Sequence, residues 1–166
     1  FQTAYLKTYY PVEFMAALMT SVIDNTSKVA GYIYACKQMN IGILPPDVNE
    51  SQMEFTVENG KIRFAMAAIK SLGRPTIQAI LKERGENGSF ISMQDFVTRM
   101  SHALNKRAIE NFVKAGAFDT FGHTRKSMMI VSESMLDSAI KHNKDSMTGQ
   151  MSLLILQPKR IRKLSR

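Results

Sequence analysis

Two short basic segments each stand where a helix is due to begin. Lys70 and Arg74 bracket Ser71, Leu72 and Gly73. Pro75 follows, and Ile77, Ile80 and Leu81 continue at helical spacing. Further on, Leu104 and Asn105 lead into Lys106 and Arg107, ahead of Ala108, Ile109, Phe112 and Val113. The first N–H groups of a helix have no acceptor within it, and its dipole favours negative charge there. With cations alongside, such a terminus can bind an anion, and phosphate is the obvious one. The candidate contact residues are Lys70, Ser71, Gly73, Arg74 and Thr76 in the first unit, and Asn105, Lys106 and Arg107 in the second. Two such units in one small domain suggest a clamp on a nucleic-acid backbone. Contacts to phosphate position a protein without reading base sequence. The plainer alternatives are an αα-corner that binds nothing and an ordinary basic helix cap.

Other chemistry finds less support. His102, His123 and His142 share no ligand spacing with one another or with Cys36, so no metal site is expected. Asp119 lies near His123, but no nucleophile accompanies the pair and loop capping explains both. No paired carboxylates suited to two-metal phosphoryl transfer stand on any strand. Neither catalytic residues nor a cofactor are expected in this stretch. Cys36 and most of the twelve methionines read as core.

The elements that must hold the two basic units follow from periodicity and punctuation. Pro11 opens a dense apolar helix over residues 12–23. Asp24, Asn25 and Thr26 form a turn and cap before a second helix over 28–39. Pro45 and Pro46 keep residues 43–48 extended. Asn59–Gly60 between two alternating runs, 54–57 and 61–65, predicts a β-hairpin. Phe64, Met66 and Ile69 predict a helix before the first basic turn, with Gly73 at φ > 0 within it. Residues 85–88 read as a loop. Ser92 caps a helix to Met100, with Asp95 three residues on as a shortened capping box. Asn105 caps 106–114, and Gly116 closes that helix. Ala117, Phe118 and Phe121 fold back as core. Thr124 caps a last helix over 125–142, and 143–149 reads as a polar, flexible lead to an apolar stretch at 150–156.

Composition sets the bounds. The chain has 166 residues, 45% of them hydrophobic and 22% charged, with a formal net charge of +8. Five of those positive charges lie in the last ten residues, at Lys159, Arg160, Arg162, Lys163 and Arg166, without an acid among them. The body is thus only mildly basic, and charge-driven binding must come from local patches. One cysteine excludes an internal disulfide framework and fits a reducing, cytoplasmic setting. The apolar runs are too short to span a membrane, so no membrane partner is expected. The sequence begins at Phe1, and a longer parent chain is expected.

Several ordered stretches resemble one family, the alpha subunits of bacterial DNA polymerase III, the C-family replicative polymerases. They are Thr3–Ala4–Tyr5–Leu6–Lys7 with Tyr10–Pro11–Val12–Glu13–Phe14–Met15–Ala16–Ala17–Leu18, then Ile43–Leu44–Pro45–Pro46–Asp47–Val48–Asn49, then Ala68–Ile69–Lys70. Asn105–Lys106–Arg107 and Lys114–Ala115–Gly116–Ala117–Phe118–Asp119 complete the set. The likeness runs from residue 1 to about residue 154. It implies a mainly α fold in three parts. Residues 1–66 would be the end of a helical fingers segment with one small β-hairpin, 67–142 a tandem helix-hairpin-helix domain, and 143–166 a tail. The family's region of this kind grips duplex DNA without sequence preference, and its catalytic aspartates lie upstream, so this stretch alone is expected not to polymerise. The expected partners are duplex DNA, the remainder of the polymerase chain and the ring-shaped sliding clamp, in a bacterial nucleoid-associated setting. The resemblance assigns Gln150, Met151, Ser152, Leu153 and Leu154 to a clamp-binding peptide, with Leu154 where an aromatic is common. Composition alone reads that peptide as a frayed end. Ser71 stands where the family usually has Gly, and residues 155–166 show no likeness. Two rival readings stay open: a helical protein–protein module with an incidental basic tail, and a helix-hairpin-helix DNA glycosylase using Asp95.

Overall fold

The computed structural model describes the backbone of residues 2–155 and the side-chain surroundings of residues 2–148. Among the described residues are seven α-helices and one three-stranded sheet, so the fold is mainly α, as expected.

The first layer is built from α1 (Gln2–Tyr9), α2 (Pro11–Ser21), α3 (Thr26–Gln38) and the sheet. Pro11 starts α2 at a position where its missing N–H costs nothing. Asn25 caps α3 by accepting the Lys28 N–H at 3.0 Å. The hairpin forms as predicted. β2 (Thr56–Glu58) and β3 (Lys61–Arg63) pair antiparallel, with Val57 opposite Ile62. Asn59 and Gly60 both take positive φ, 51° and 73°, the turn that matches strand twist. A third strand, β1 (Ile43–Leu44), lies in the stretch expected to be extended and runs parallel to β3, a pairing the sequence does not signal. Gly42 and Leu44 carbonyls accept the Ile62 and Phe64 N–H groups at 2.9 and 3.1 Å. Met15, Met19, Val29, Cys36, Phe55 and Ile62 are buried together between these elements.

The second layer contains α4 (Arg74–Asn87), α5 (Met93–Met100), α6 (Lys106–Ala115) and α7 (Arg125–Ile155). Its core centres on an aromatic cluster: Phe96 stands edge-on to Phe90, Phe112 and Phe118 with ring centroids 4.9 to 5.6 Å away. Ser92 caps α5 through the Asp95 N–H at 3.0 Å, and Asp95 accepts the Ile91 N–H at 3.1 Å. Asn105 caps α6 through the Ala108 N–H at 2.7 Å. Gly116 ends α6 in the left-handed conformation at φ 85°. Ala117 and Phe118 are buried and Phe121 packs against them.

Four expectations need correction. The segment before the first basic turn is not a helix but one 3-10 turn, Met66–Ala68. The Met66 and Ala67 N–H groups are taken by the Gln52 and Met53 carbonyls at 2.9 and 3.1 Å, so they cannot serve a helix. Gly73 has φ −73°, and Ser71 takes the positive φ, 61°. Residues 85–87 continue α4 rather than forming a loop, and the helix ends at Gly88, φ 80°. Residues 143–149 continue α7 rather than leaving it. Met128, Ser132, Leu136 and Ala139 form its buried seam, and Asn143 extends that seam by donating to the Ser101 hydroxyl at 2.6 Å. The short helix α1 is an addition to the expected plan.

A polar latch joins the layers. The buried Asp47 carboxylate accepts the Asn49 N–H at 2.7 Å and the Thr120 hydroxyl at 2.9 Å. Asn49 pairs twice with the Phe90 backbone, at 2.9 and 2.8 Å. Arg84 donates to the Val48 and Ser51 carbonyls at 3.0 Å each, and Ser51 donates to the Phe64 carbonyl at 2.8 Å.

Candidate nucleic-acid interface

The 65–72 segment is held as a stepped series of turns. The Ile69 N–H bonds to the Met66 carbonyl, and the Leu72 N–H reaches the Ile69 carbonyl at 3.4 Å. Ile69 and Leu72 are buried, so Lys70 and Ser71 form the tip and project outward. The third position of such a turn needs φ > 0, where glycine usually sits, and here Ser71 occupies it.

Gly73 then precedes α4 with extended backbone, and no side chain caps the helix. The Arg74 and Thr76 N–H groups at its start therefore have no side-chain acceptor, as the anion-site reading requires. Arg74 points toward Asp24, 3.6 Å away, with both side chains well exposed, so the pair is weak. The Thr76 hydroxyl donates to the Ala103 carbonyl at 3.3 Å, stitching α4 to the loop before α6.

In the second unit the residues diverge. Asn105 uses its side-chain oxygen for the cap. Lys106 turns to α7 and pairs with Glu133 at 2.7 Å, a hydrogen bond that raises its pKa from the ordinary lysine range. Arg107 is exposed. Among the described residues, neither Lys70 nor Arg107 has a carboxylate within 4 Å.

The turn and α6 meet at a cleft of about 350 Å³ lined by Lys70, Ser71, Arg107, Glu110, Asn111 and Lys114. Asn111 Nδ2 donates to the Lys70 carbonyl at 2.8 Å and fixes one wall to the other. Lys114 lies 3.8 Å from Glu110. The structure thus brings Lys70, Ser71 and Arg107 together and sends Arg74 and Lys106 to other neighbours. Asn111 and Lys114 are not among the residues the sequence singled out. Their signal was there: Arg107, Asn111 and Lys114 stand at i, i+4 and i+7, one face of a helix.

Asp95 is fully engaged, accepting from Ile91 and facing Arg99 at 3.3 Å. Among the described residues no group of three or more His, Cys, Asp or Glu side chains could hold a metal ion. No helix there is long and apolar enough to cross a membrane. The backbone of Gln150–Met151–Ser152–Leu153–Leu154 lies in the last turns of α7, while their side chains lie outside the described residues, as do residues 156–166 entirely.

A helix-hairpin-helix motif family matches residues 40–128, from the strand before the hairpin to the start of α7. The chain belongs to this helix-hairpin-helix family. The matched stretch includes the Lys70–Ser71 tip, α4, α5 and α6. Among curated relatives, DNA polymerase III subunit alpha of Saccharopolyspora erythraea is 42% identical over 152 residues, 91% of this chain and 13% of the relative. The protein of the same name from Campylobacter jejuni is 44% identical over 146 residues, covering 85% of this chain and 12% of the relative. That of Thermus aquaticus is 42% identical over 154 residues, 92% and 12%. The chain therefore spans about an eighth of the length of these relatives. The resemblance drawn from the sequence motifs is borne out.

Proposed function

We propose that this helix-hairpin-helix domain holds duplex DNA by its backbone phosphates, as part of a replicative DNA polymerase of the alpha-subunit type. The observation that carries the reading is the cleft at the Lys70–Ser71 tip. It gathers three cations against one carboxylate in a family named for a helix-hairpin-helix motif. The interaction is electrostatic and blind to base sequence. Lys70 and Arg107 supply charge that no carboxylate engages, and Arg74 and Lys106 join by exchanging weak, exposed carboxylate partners for phosphate. The expected setting is the bacterial cytoplasm, on replicating DNA, with DNA synthesis itself carried by residues outside this stretch.

The finer part of the proposal is attachment to the sliding clamp through Gln150 to Leu154. Leu153 and Leu154 would be the buried anchors, and Gln150 would set register by hydrogen bonding. A peptide this short binds weakly alone and gains from tethering on the same DNA. Because its backbone is helical, binding requires the last turns of α7 to unwind or to dock as a helix.

Fluorescence anisotropy with duplex DNA across a salt series tests the main reading. Log affinity should fall linearly with log salt. Replacing Lys70, Arg74, Lys106 and Arg107 together by Ala should weaken all sequences alike. The slope magnitude should drop by roughly 0.9 for each phosphate no longer neutralised. Binding that disappears only when residues 157–166 are removed would instead favour a protein–protein module with an incidental basic tail.

A further inference from the structure

We infer that the two basic units share one phosphodiester in the cleft between them, and that Asn111 is the residue that positions them for it. The inference rests on the duplex-binding reading and deepens it. Each unit taken alone predicts its own phosphate. The structure instead puts the tip of the first against the face of the second. Lys70 and Ser71 form one wall, and Arg107, Asn111 and Lys114 the other. Lys70, Arg107 and Lys114 carry three positive charges and Glu110 one negative, so the lining is cationic before any ligand arrives. Glu110 lines the cleft too, with Lys114 3.8 Å away.

Among the described residues, the direct hydrogen bond between the walls is from Asn111 Nδ2 to the Lys70 carbonyl, 2.8 Å long. That carbonyl belongs to the residue before Ser71, whose φ of 61° is costly for a residue with a side chain. Asn111 therefore stabilises a strained tip and fixes it to α6, holding Lys70 at the same cleft as Arg107. The tip alone is a short turn with few local bonds: the Leu72 N–H bond behind it is long, at 3.4 Å. Without Asn111 the Lys70 backbone loses its tie to α6, while Arg107 keeps its place on that helix. Asn111 is a positioning residue; Lys70 and Arg107 are the groups that meet the phosphate, while Lys114 stands against Glu110.

Salt-slope measurements on the whole 166-residue chain with one duplex decide this, using K70A, R107A, the K70A/R107A pair, N111A and K70A/N111A. If one phosphate is shared, K70A/R107A lowers the slope magnitude by about 0.9 in total. N111A should weaken binding about as much as K70A, and K70A should then cost little further in the N111A background. K106A, outside the cleft, should keep its full effect in that background, which a general structural loss would not allow. Circular dichroism checks that each variant remains folded. A drop in slope near ~1.8 for K70A/R107A, twice the single-phosphate value, would overturn the shared phosphate while leaving duplex binding standing. So would an undiminished K70A effect beside N111A. Salt-independent binding by the unsubstituted chain would remove the duplex reading itself.

Discussion

Ser71 and Gly73 exchange the roles their residue types advertise. Serine carries φ 61°, and glycine two residues later sits at φ −73° in extended backbone. A left-handed L-residue costs roughly 1–2 kcal/mol, of which glycine's greater unfolded freedom returns part. S71G should therefore raise stability by about 0.5–1 kcal/mol in urea denaturation; a decrease would show that the side chain holds the turn. With φ −73°, Gly73 sits where any L-residue can, so a substitution there carries no left-handed strain. A Cβ at Gly73 meets only the Pro75 ring, at an ordinary 3.7 Å. Gly116 is the opposite case. Its φ is 85°, and a Cβ there would run into the Asp119 carboxylate and the Arg125 guanidinium, which are paired with each other. That pair is exposed and can move, so strain dominates. G116A should cost about 2 kcal/mol, and G116N less, since Asn tolerates the left-handed region. Equal stability of both variants would contradict the assignment.

At the scale of elements, side-chain caps fix where several helices begin, while α2 and α4 start without one. Asn25, Ser92 and Asn105 each cap a helix, whereas Gly73 leaves the start of α4 without a side-chain partner. Gly73 already has the extended backbone of a cap residue, so Asp fits there sterically. G73D should hold or slightly raise the melting temperature, by capping and by favourable charge at the helix start. It should also weaken duplex binding, because its carboxylate takes the phosphate's place. A variant that binds duplex as well as the parent would remove the α4 terminus from the interface. A second element-scale device is Arg99 of α5, which reaches Glu83 of α4 at 2.8 Å and covers the Phe90 ring at 4.3 Å. The hydrogen bond from Arg99 holds the Glu83 carboxyl below the ordinary carboxylate value. A depressed folded value means stability present above the unfolded pKa of about 4.3, and lost as pH falls through the folded one. E83Q should lower stability at pH 7 and flatten its decline between about pH 5 and 3, measured by thermal melts; an unchanged acid limb would rule the pair out as its source.

Much of the element plan was legible. The capped helices, the Asn59–Gly60 hairpin and the Gly116 stop each carry a local signal that the tertiary structure leaves intact. What failed did so where long-range bonds override local pattern. The helical spacing of Phe64, Met66 and Ile69 is real but serves two cores and a strand edge, with Gln52 and Met53 taking the N–H groups. The strand β1 has only two residues and takes its identity from β3. The polar run at 143–149 resembles a loop because Asn, Asp, Ser and Gly usually leave helices, yet Asn143 finds a partner in Ser101. Of the cleft's charged residues, Lys70 and Arg107 were singled out in the sequence, and Glu110 and Lys114 were not. The grouping itself was not legible, because Asn111 meets Lys70 across 41 residues of sequence.

At the scale of the whole molecule, the question is what makes two layers with separate cores behave as one body. Phe64 packs against both cores, but a shared edge is a small area. The polar latch supplies the rest: Asp47, Asn49 and Ser51, just after Pro45 and Pro46, meet Thr120, Phe90 and Arg84 of the second layer. Asp47 is 4% exposed, with Asn49, Glu50 and Thr120 as donors to its carboxylate. Thr120 lies 73 residues away, next to the end of α6, so one side chain ties the residues after Pro46 to the far layer. Truncation removes the acceptor and leaves those donors facing a site with little room for water, a cost of about 1–3 kcal/mol. D47A should therefore lower stability by about 2 kcal/mol. It should also weaken the coupling between layers, so that calorimetric and van't Hoff enthalpies, equal for a single cooperative unit, separate. D47N keeps one carbonyl oxygen and should lie between D47A and the parent. A D47A chain that melts in one unchanged transition would mean the apolar contacts around Phe64 suffice, and that the latch serves only to shape its own turn.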